Sequence, residues 1–232
     1  MTPPDIKVVI PLYDGFTALD AVGPYQMLAS APGTQVVFAA EQPGPVLDDH
    51  RTLQLTAVAF DEAPRPDVVV VPGGPGTVHV LDGALPSWLR DVHATTRWTT
   101  SVCSGSLILG AAGLIKGLRA TTHYRHLDKL PLFGAVPTPE RVVVEHDARV
   151  ATAAGVSSGI DMALRLVELL TDARTAQAVQ LWTEYDPQPP FDTGSPLRAP
   201  QDVLELAAEY DAAALDAATR STEPPHEGHH FS

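Results

Sequence analysis

The chain has 232 residues, 44% of them apolar, which is room for one sizeable α/β domain with a real core or for two small ones. Fifteen Lys and Arg against 28 Asp and Glu leave a formal net charge of −13, a balance that disfavours nucleic-acid backbones and anionic membrane surfaces. One cysteine, Cys103, excludes an intrachain disulfide and a multi-thiolate metal site, and a reducing compartment is the simpler assumption.

The opening MTPPDIKVVIPLYDGF lacks the basic start and long apolar centre of a signal peptide. No apolar run nears the ~20 residues of a spanning helix, so the expectation is a cytoplasmic protein with no membrane partner. Lys7 to Leu12 reads as a buried strand, followed by the turn Tyr13-Asp14-Gly15. Asp20 to Ser30 reads as a helix and Gln35 to Ala40 as a second strand. Residues 41–66 mix turn signals with short β-like pieces. Asp67 to Val71 is the clearest buried strand, ending abruptly at Pro72-Gly73-Gly74-Pro75-Gly76.

Leu85 to Thr96 is amphipathic and helical, Trp98 to Val102 a strand, and Ser104 to Leu114 a helix. Arg119 to Thr122 is a short strand candidate. Arg141 to Glu145 and Arg149 to Ala153 flank His146-Asp147-Ala148 as a hairpin. Two strong helices follow, Ser158 to Leu170 and Ala173 to Tyr185, then an extended segment rich in proline and glycine, Asp186 to Pro200. Gln201 to Thr219 is a final amphipathic helix, and Ser221 to Ser232 has the composition of a disordered tail. Residues 1–220 thus read as one domain, α/β in class, with a mostly parallel sheet covered by helices on both faces.

Sites in such sheets form at the carboxyl ends of strands, which selects Asp14 to Asp20, Gly73 to Thr77 and Cys103 to Ser106. Cys103 sits where a strand turns into a helix. The following amides would favour a thiolate there, the logic of a nucleophile elbow with sulfur in place of oxygen. The alternative is a small buried side chain. Ser104 and Ser106 are helix-capping hydroxyls, and Ser104 also adjoins the sulfur. Gly73, Gly74 and Gly76 would let a substrate approach the backbone and offer N–H groups to developing negative charge. Their spacing fits neither the dinucleotide nor the Walker pattern. Asp20 is either the N-cap of its helix or a carboxyl in an apolar cleft, exchanging protons near neutrality beside the thiol. His123, ending RATTH, can approach the same crevice. His226, His229 and His230 in the tail make a poor catalytic site.

These motifs, VVVVPGGPGT, SVCSGSLILGAAGLIKG, RATTHY, GVSSGIDMAL and YDPQPPFDTGSP, resemble the ThiJ/PfpI superfamily and within it the isocyanide hydratase branch, from about residue 6 to about residue 218. The resemblance implies a flavodoxin-like fold, a homodimer, and addition of water to a small apolar isocyanide to give an N-substituted formamide, with no metal or organic cofactor. It matches Cys103 to the nucleophile, Asp20 to the acidic residue beside it, and Ser104 to a hydroxyl residue that is often threonine. Other branches usually carry glutamate where Asp20 stands. The peptidase-like branch places histidine after the cysteine, where this chain has Ser104. Two alternatives share the fold: a cofactor-free glyoxalase-like enzyme acting on small aldehydes, and a cysteine-based redox sensor or ligand-binding module. No basic recognition helix follows residue 200, which argues against nucleic-acid binding.

Overall fold

The computed structural model describes residues 6–221, with side chains to residue 216; the tail expected to be disordered lies almost wholly outside them. In chain order the elements are β1 (Ile6–Pro11), α1 (Ala18–Ala29), β2 (Thr34–Ala40), β3 (Gly44–Leu47), β4 (Gln54–Ala59), β5 (Val68–Val71), α2 (Thr77–Val80) and α3 (Ala84–His93). They continue with β6 (Trp98–Val102), α4 (Gly105–Ala111), β7 (Arg119–Ala120), a 3-10 segment (Tyr124–Phe133), β8 (Val136–Pro137), β9 (Val142–Glu145), β10 (Val150–Ala153), α5 (Ser158–Leu170), α6 (Ala173–Trp182) and α7 (Gln201–Ser221). The chain divides into two units, Met1–Gln188 and Pro189–Ser232, where the sequence marks no boundary. The first holds the sheets and α1 to α6; the second holds α7.

Eight strands form one sheet in the order β3-β4-β2-β1-β5-β6-β10-β9. The run from β4 to β10 is parallel, and the two outermost strands, β3 and β9, pair antiparallel. Burial explains the sequence pattern. Every residue of β5, β6 and β10 is buried, as strands covered on both faces must be, so they read as continuous apolar or small-residue runs. The outer β3 and β4 are only partly covered and alternate more. Pro45 is tolerated in β3 because that strand is an edge.

Helices cover both sides of the sheet: α1 packs on α5 and α5 on α6, while α3 and α2 pack on α4. The apolar stripe of α5 contributes Met162, Ala163, Leu166 and Val167 to the core, each 1% exposed or less. β1 leads to β2 on one side and β5 lies on the other, so the strand order reverses between β1 and β5. A crevice at the carboxyl ends of these strands is where the topology places a ligand site.

Three features differ from the sequence reading. Helix α1 starts at Ala18, so Thr17 and not Asp20 is its N-cap residue. Thr77–Val80 forms a single helical turn that its β-branched residues conceal. Residues 124–133 form a 3-10 segment despite Pro131, and the strand candidate before it shortens to Arg119–Ala120, paired with β8.

Replacing Leu166, fully buried on α5, by alanine is expected to lower unfolding stability by about 2–5 kcal/mol. Urea denaturation checks this; an unchanged midpoint would contradict the packing of α5 on the sheet.

Candidate active site

Cys103 follows the last residue of β6 and precedes Ser104, the N-cap residue of α4. Its φ of +56° is left-handed, a conformation costing a non-glycine residue roughly 1–3 kcal/mol and sustained here by surrounding bonds. The Cys103 N–H donates to the carbonyl oxygens of Ala153 (3.1 Å), the last residue of β10, and Ala154 (2.9 Å), the next residue. The Cys103 carbonyl accepts from the hydroxyls of Thr122 (2.9 Å) and Ser106 (3.2 Å). Ser106 therefore braces the elbow from inside the helix instead of capping it.

Asp20 is the third residue of α1 and is completely buried. Its Oδ2 accepts the Gly73 N–H at 2.8 Å. The Cys103 thiol lies beside the carboxyl, close enough to favour its charged form, yet short of a full hydrogen bond: Oδ1 is buried with no partner among the described residues. Catalytic hydrogen bonds are often this loose before substrate arrives. Burial pushes the Asp20 pKa up to about 8, against the opposing pull of the Gly73 N–H and the thiol, and Asp49 adds a further upward push.

Burial also pushes the Cys103 thiol well above its usual value, and the Asp20 charge adds to that. The Ser104 amide and hydroxyl and the Val156 amide pull the other way. The sequence argument gave the helix N-terminus the larger effect; in the structure α4 has only seven residues and desolvation outweighs its amides. Near neutrality the Asp20 carboxyl is populated in both its forms, and only the carboxylate form can take the Cys103 proton.

The Gly73–Thr77 loop meets the elbow edge on. A Cβ on Gly73 would stand 2.5 Å from the Ser104 nitrogen and 2.9 Å from the Cys103 Cβ, so only glycine fits. Gly74, at φ +145°, likewise has no room for a Cβ against Gly15 and Thr17. The amides of the three glycines are not open oxyanion donors as the sequence led us to expect. Gly73 donates to Asp20, Gly74 to Ser104 Oγ at 2.9 Å, and Gly76 to the Gly15 carbonyl at 3.0 Å. Gly73 and Gly74 thus hold side chains, and Gly76 ties the loop to the backbone of the turn after β1.

Ser104 makes no capping bond to α4. Its hydroxyl accepts from Gly74 and pairs with Thr77 Oγ1 at 2.9 Å, and Thr77 pairs with the Tyr13 hydroxyl at 3.0 Å. Tyr13 in turn donates to the Pro72 carbonyl at 2.9 Å. Thr77 closes a segment the sequence selects but carries no role there, and Tyr13, one residue outside the segment 14–20, was missed because a turn tyrosine carries no spacing signal. His123, N-cap residue of the 3-10 segment, packs its ring edge over Gly155, where a Cβ would lie 2.5 Å from its Cδ2. That places it beside the loop whose Val156 amide reaches Cys103. Among the described residues no cluster of three or more His, Cys, Asp or Glu could hold a metal ion. No described helix is long and apolar enough to cross a membrane.

The raised Asp20 pKa makes a stability prediction. The folded carboxyl binds its proton more tightly than the ordinary value of 3.8, so its contribution is full below pH 3.8 and is lost as pH rises towards about 8. An Asp20→Asn variant is expected to escape that loss and to gain stability relative to wild type across this window, measured by denaturation at pH 5 and pH 8. An equal difference at both pH values would contradict a buried, proton-holding Asp20.

Comparison with known proteins accords with this architecture. The DJ-1/PfpI family matches residues 6–169. An isonitrile hydratase of Pseudomonas putida is 42% identical over 213 residues, covering 91% of this chain and 92% of that protein. A crystal structure of a ThiJ/PfpI family protein from Pseudomonas syringae superposes with a TM-score of 0.84 at 40% identity, covering 94% of this chain and 92% of that one. A glutathione-independent glyoxalase of Caenorhabditis elegans is more distant, 27% identical over 141 residues, 60% of this chain and 74% of that protein. The chain belongs to the DJ-1/PfpI family.

Proposed function

We propose that this protein is an isocyanide hydratase, adding water to R–N≡C to give R–NH–CHO. The observation that carries the reading is the buried Cys103–Asp20 pair at the strand-to-helix elbow, in a chain 42% identical to an isonitrile hydratase across nine-tenths of its length. The terminal carbon of an isocyanide is electrophilic and the substrate bears no net charge, which suits a desolvated thiol site.

In the proposed sequence the Asp20 carboxylate takes the Cys103 proton as Sγ bonds to the terminal carbon. The proton is then delivered to that carbon, giving the thioimidate R–N=CH–S–Cys103. Asp20, again a carboxylate, takes a proton from water as the oxygen adds to the same carbon and hands it to the nitrogen. The hydroxyl then loses its proton to Asp20 as the C–S bond breaks, releasing R–NH–CHO, and Asp20 returns that proton to the sulfur. A carboxyl with a pKa near 8 is matched to donating and accepting within one cycle near neutrality. Ser104, tied to Gly74 and Thr77, holds the loop that presents Gly73 to Asp20.

Hydration of p-nitrophenyl isocyanide, with methylglyoxal run beside it, tests the reading. Wild type should consume the isocyanide and leave methylglyoxal. Cys103→Ala should abolish turnover, and Asp20→Asn should lower kcat by about 10²–10⁴-fold. Isocyanide consumption by Cys103→Ala at the wild-type rate, or turnover of methylglyoxal alone, would contradict it. Ser104→Ala should retain the fold and lower kcat more than it raises KM, because the lost hydroxyl positions catalytic groups and not the substrate; a change in KM alone would contradict that role.

A further inference from the structure

Asp49 has no part in the chemistry just described, yet it is tied to Asp20 through a single residue. The segment 47–49 lies along 14–17. Gly15 donates to the Leu47 carbonyl at 3.0 Å and Asp49 donates its N–H to the Phe16 carbonyl at 2.9 Å. Thr17, the N-cap residue of α1, does not cap its helix; its hydroxyl donates to Asp49 Oδ2 at 2.8 Å. The Thr17 N–H donates to the Gly73 carbonyl at 2.8 Å, and the Thr17 carbonyl accepts the Asp20 N–H at 3.0 Å. Thr17 therefore joins Asp49, the backbone of Asp20 and the glycine that holds the Asp20 side chain.

The other oxygen of Asp49, Oδ1, is buried with no hydrogen-bond partner among the described residues. The His50 Nε2 lies 4.0 Å from it, on a side chain that is 84% exposed. A buried acceptor without a donor is unfavourable and needs a reason. A capping threonine diverted from its own helix to this carboxylate is a second departure from local preference, in the same place.

We propose that Asp49 is a positioning residue for the acid–base pair: through Thr17 it sets the first turn of α1 and the Gly73 contact that holds Asp20, and it brings a second carboxylate to the site. The inference rests on the reading of Asp20 as the group that exchanges protons with Cys103. The titratable groups that meet around Asp20 are Cys103 from the elbow, Tyr13 from the end of β1 and Asp49 from the turn after β3, with His50 beside Asp49. Of these, Asp49 is the one that carries like charge and is not itself buried in the reacting pair. Burial pushes the Tyr13 hydroxyl upward, and the charges of Asp20, Cys103 and Asp49 add to it.

The test is the pH dependence of Cys103 alkylation by iodoacetamide, a readout that needs no isocyanide turnover. Asp49→Asn keeps an oxygen for the Thr17 hydroxyl and removes the charge. It should move the alkylation midpoint down by about 0.3–1 pH unit, which is roughly two- to tenfold faster labelling at pH 7. The same substitution in an Asp20→Asn background should produce no further movement. If Asp49→Asn does not fold, His50→Lys places a fixed cation at Asp49 from an exposed position and should move the midpoint in the same direction. An unchanged midpoint in the folded variant, or an equal shift without Asp20, overturns the proposal. A shifted midpoint in a protein that hydrates no isocyanide supports Asp49 and removes the proposed reaction instead.

Discussion

The site depends on one constraint: a carboxyl group with no solvent exposure that is held by a single backbone N–H. Asp20 Oδ2 accepts from Gly73 at 2.8 Å, and the other oxygen has no partner among the described residues. A buried carboxylate needs several donors to stay charged near its ordinary pKa. With one, it keeps its proton up to about pH 8. That poise is bought by the fold, since Gly73 can lie against both Asp20 and the elbow only without a side chain.

The rest of the sheet edge serves this arrangement. Cys103 is forced into a left-handed conformation, with its N–H bonded to the loop after β10 and its carbonyl to Thr122 and Ser106. The thiol therefore has little freedom to move away from Asp20. The Ser104–Thr77–Tyr13–Pro72 chain closes the other side, tying the elbow to the Gly73 loop and to the end of β1. Each of the three strand ends that lie around the switch in strand order contributes one wall. The chemistry proposed for it is that of a pair sharing protons, not of a free thiolate beside a helix terminus.

Much of the fold was legible because its signals are local. Val68–Val71 and Trp98–Val102 are buried on both faces and read as uninterrupted strands, and the hairpin 142–153 turns at residues with turn chemistry. The rule for sites in parallel sheets brought Asp20, Gly73 and Cys103 to one edge before any coordinates. What escaped the sequence is non-local. Whether Asp20 caps a helix or lies within its first turn depends on where Thr17 sends its hydroxyl, and that depends on Asp49, 32 residues away. The balance between helix amides and burial at Cys103 depends on how completely the site is covered. The glycine amides looked like free donors because their acceptors, Asp20 and Ser104, lie 53 and 30 residues distant.

The central claim is that Cys103 bonds covalently to the substrate carbon with Asp20 handling the protons. Rapid-quench mass spectrometry of the protein mixed with p-nitrophenyl isocyanide addresses it most directly. The account predicts a transient adduct on the peptide carrying Cys103, heavier by the mass of one isocyanide and decaying as formamide appears. Turnover with no adduct on Cys103, or an adduct on another residue that decays at the same rate, would contradict it.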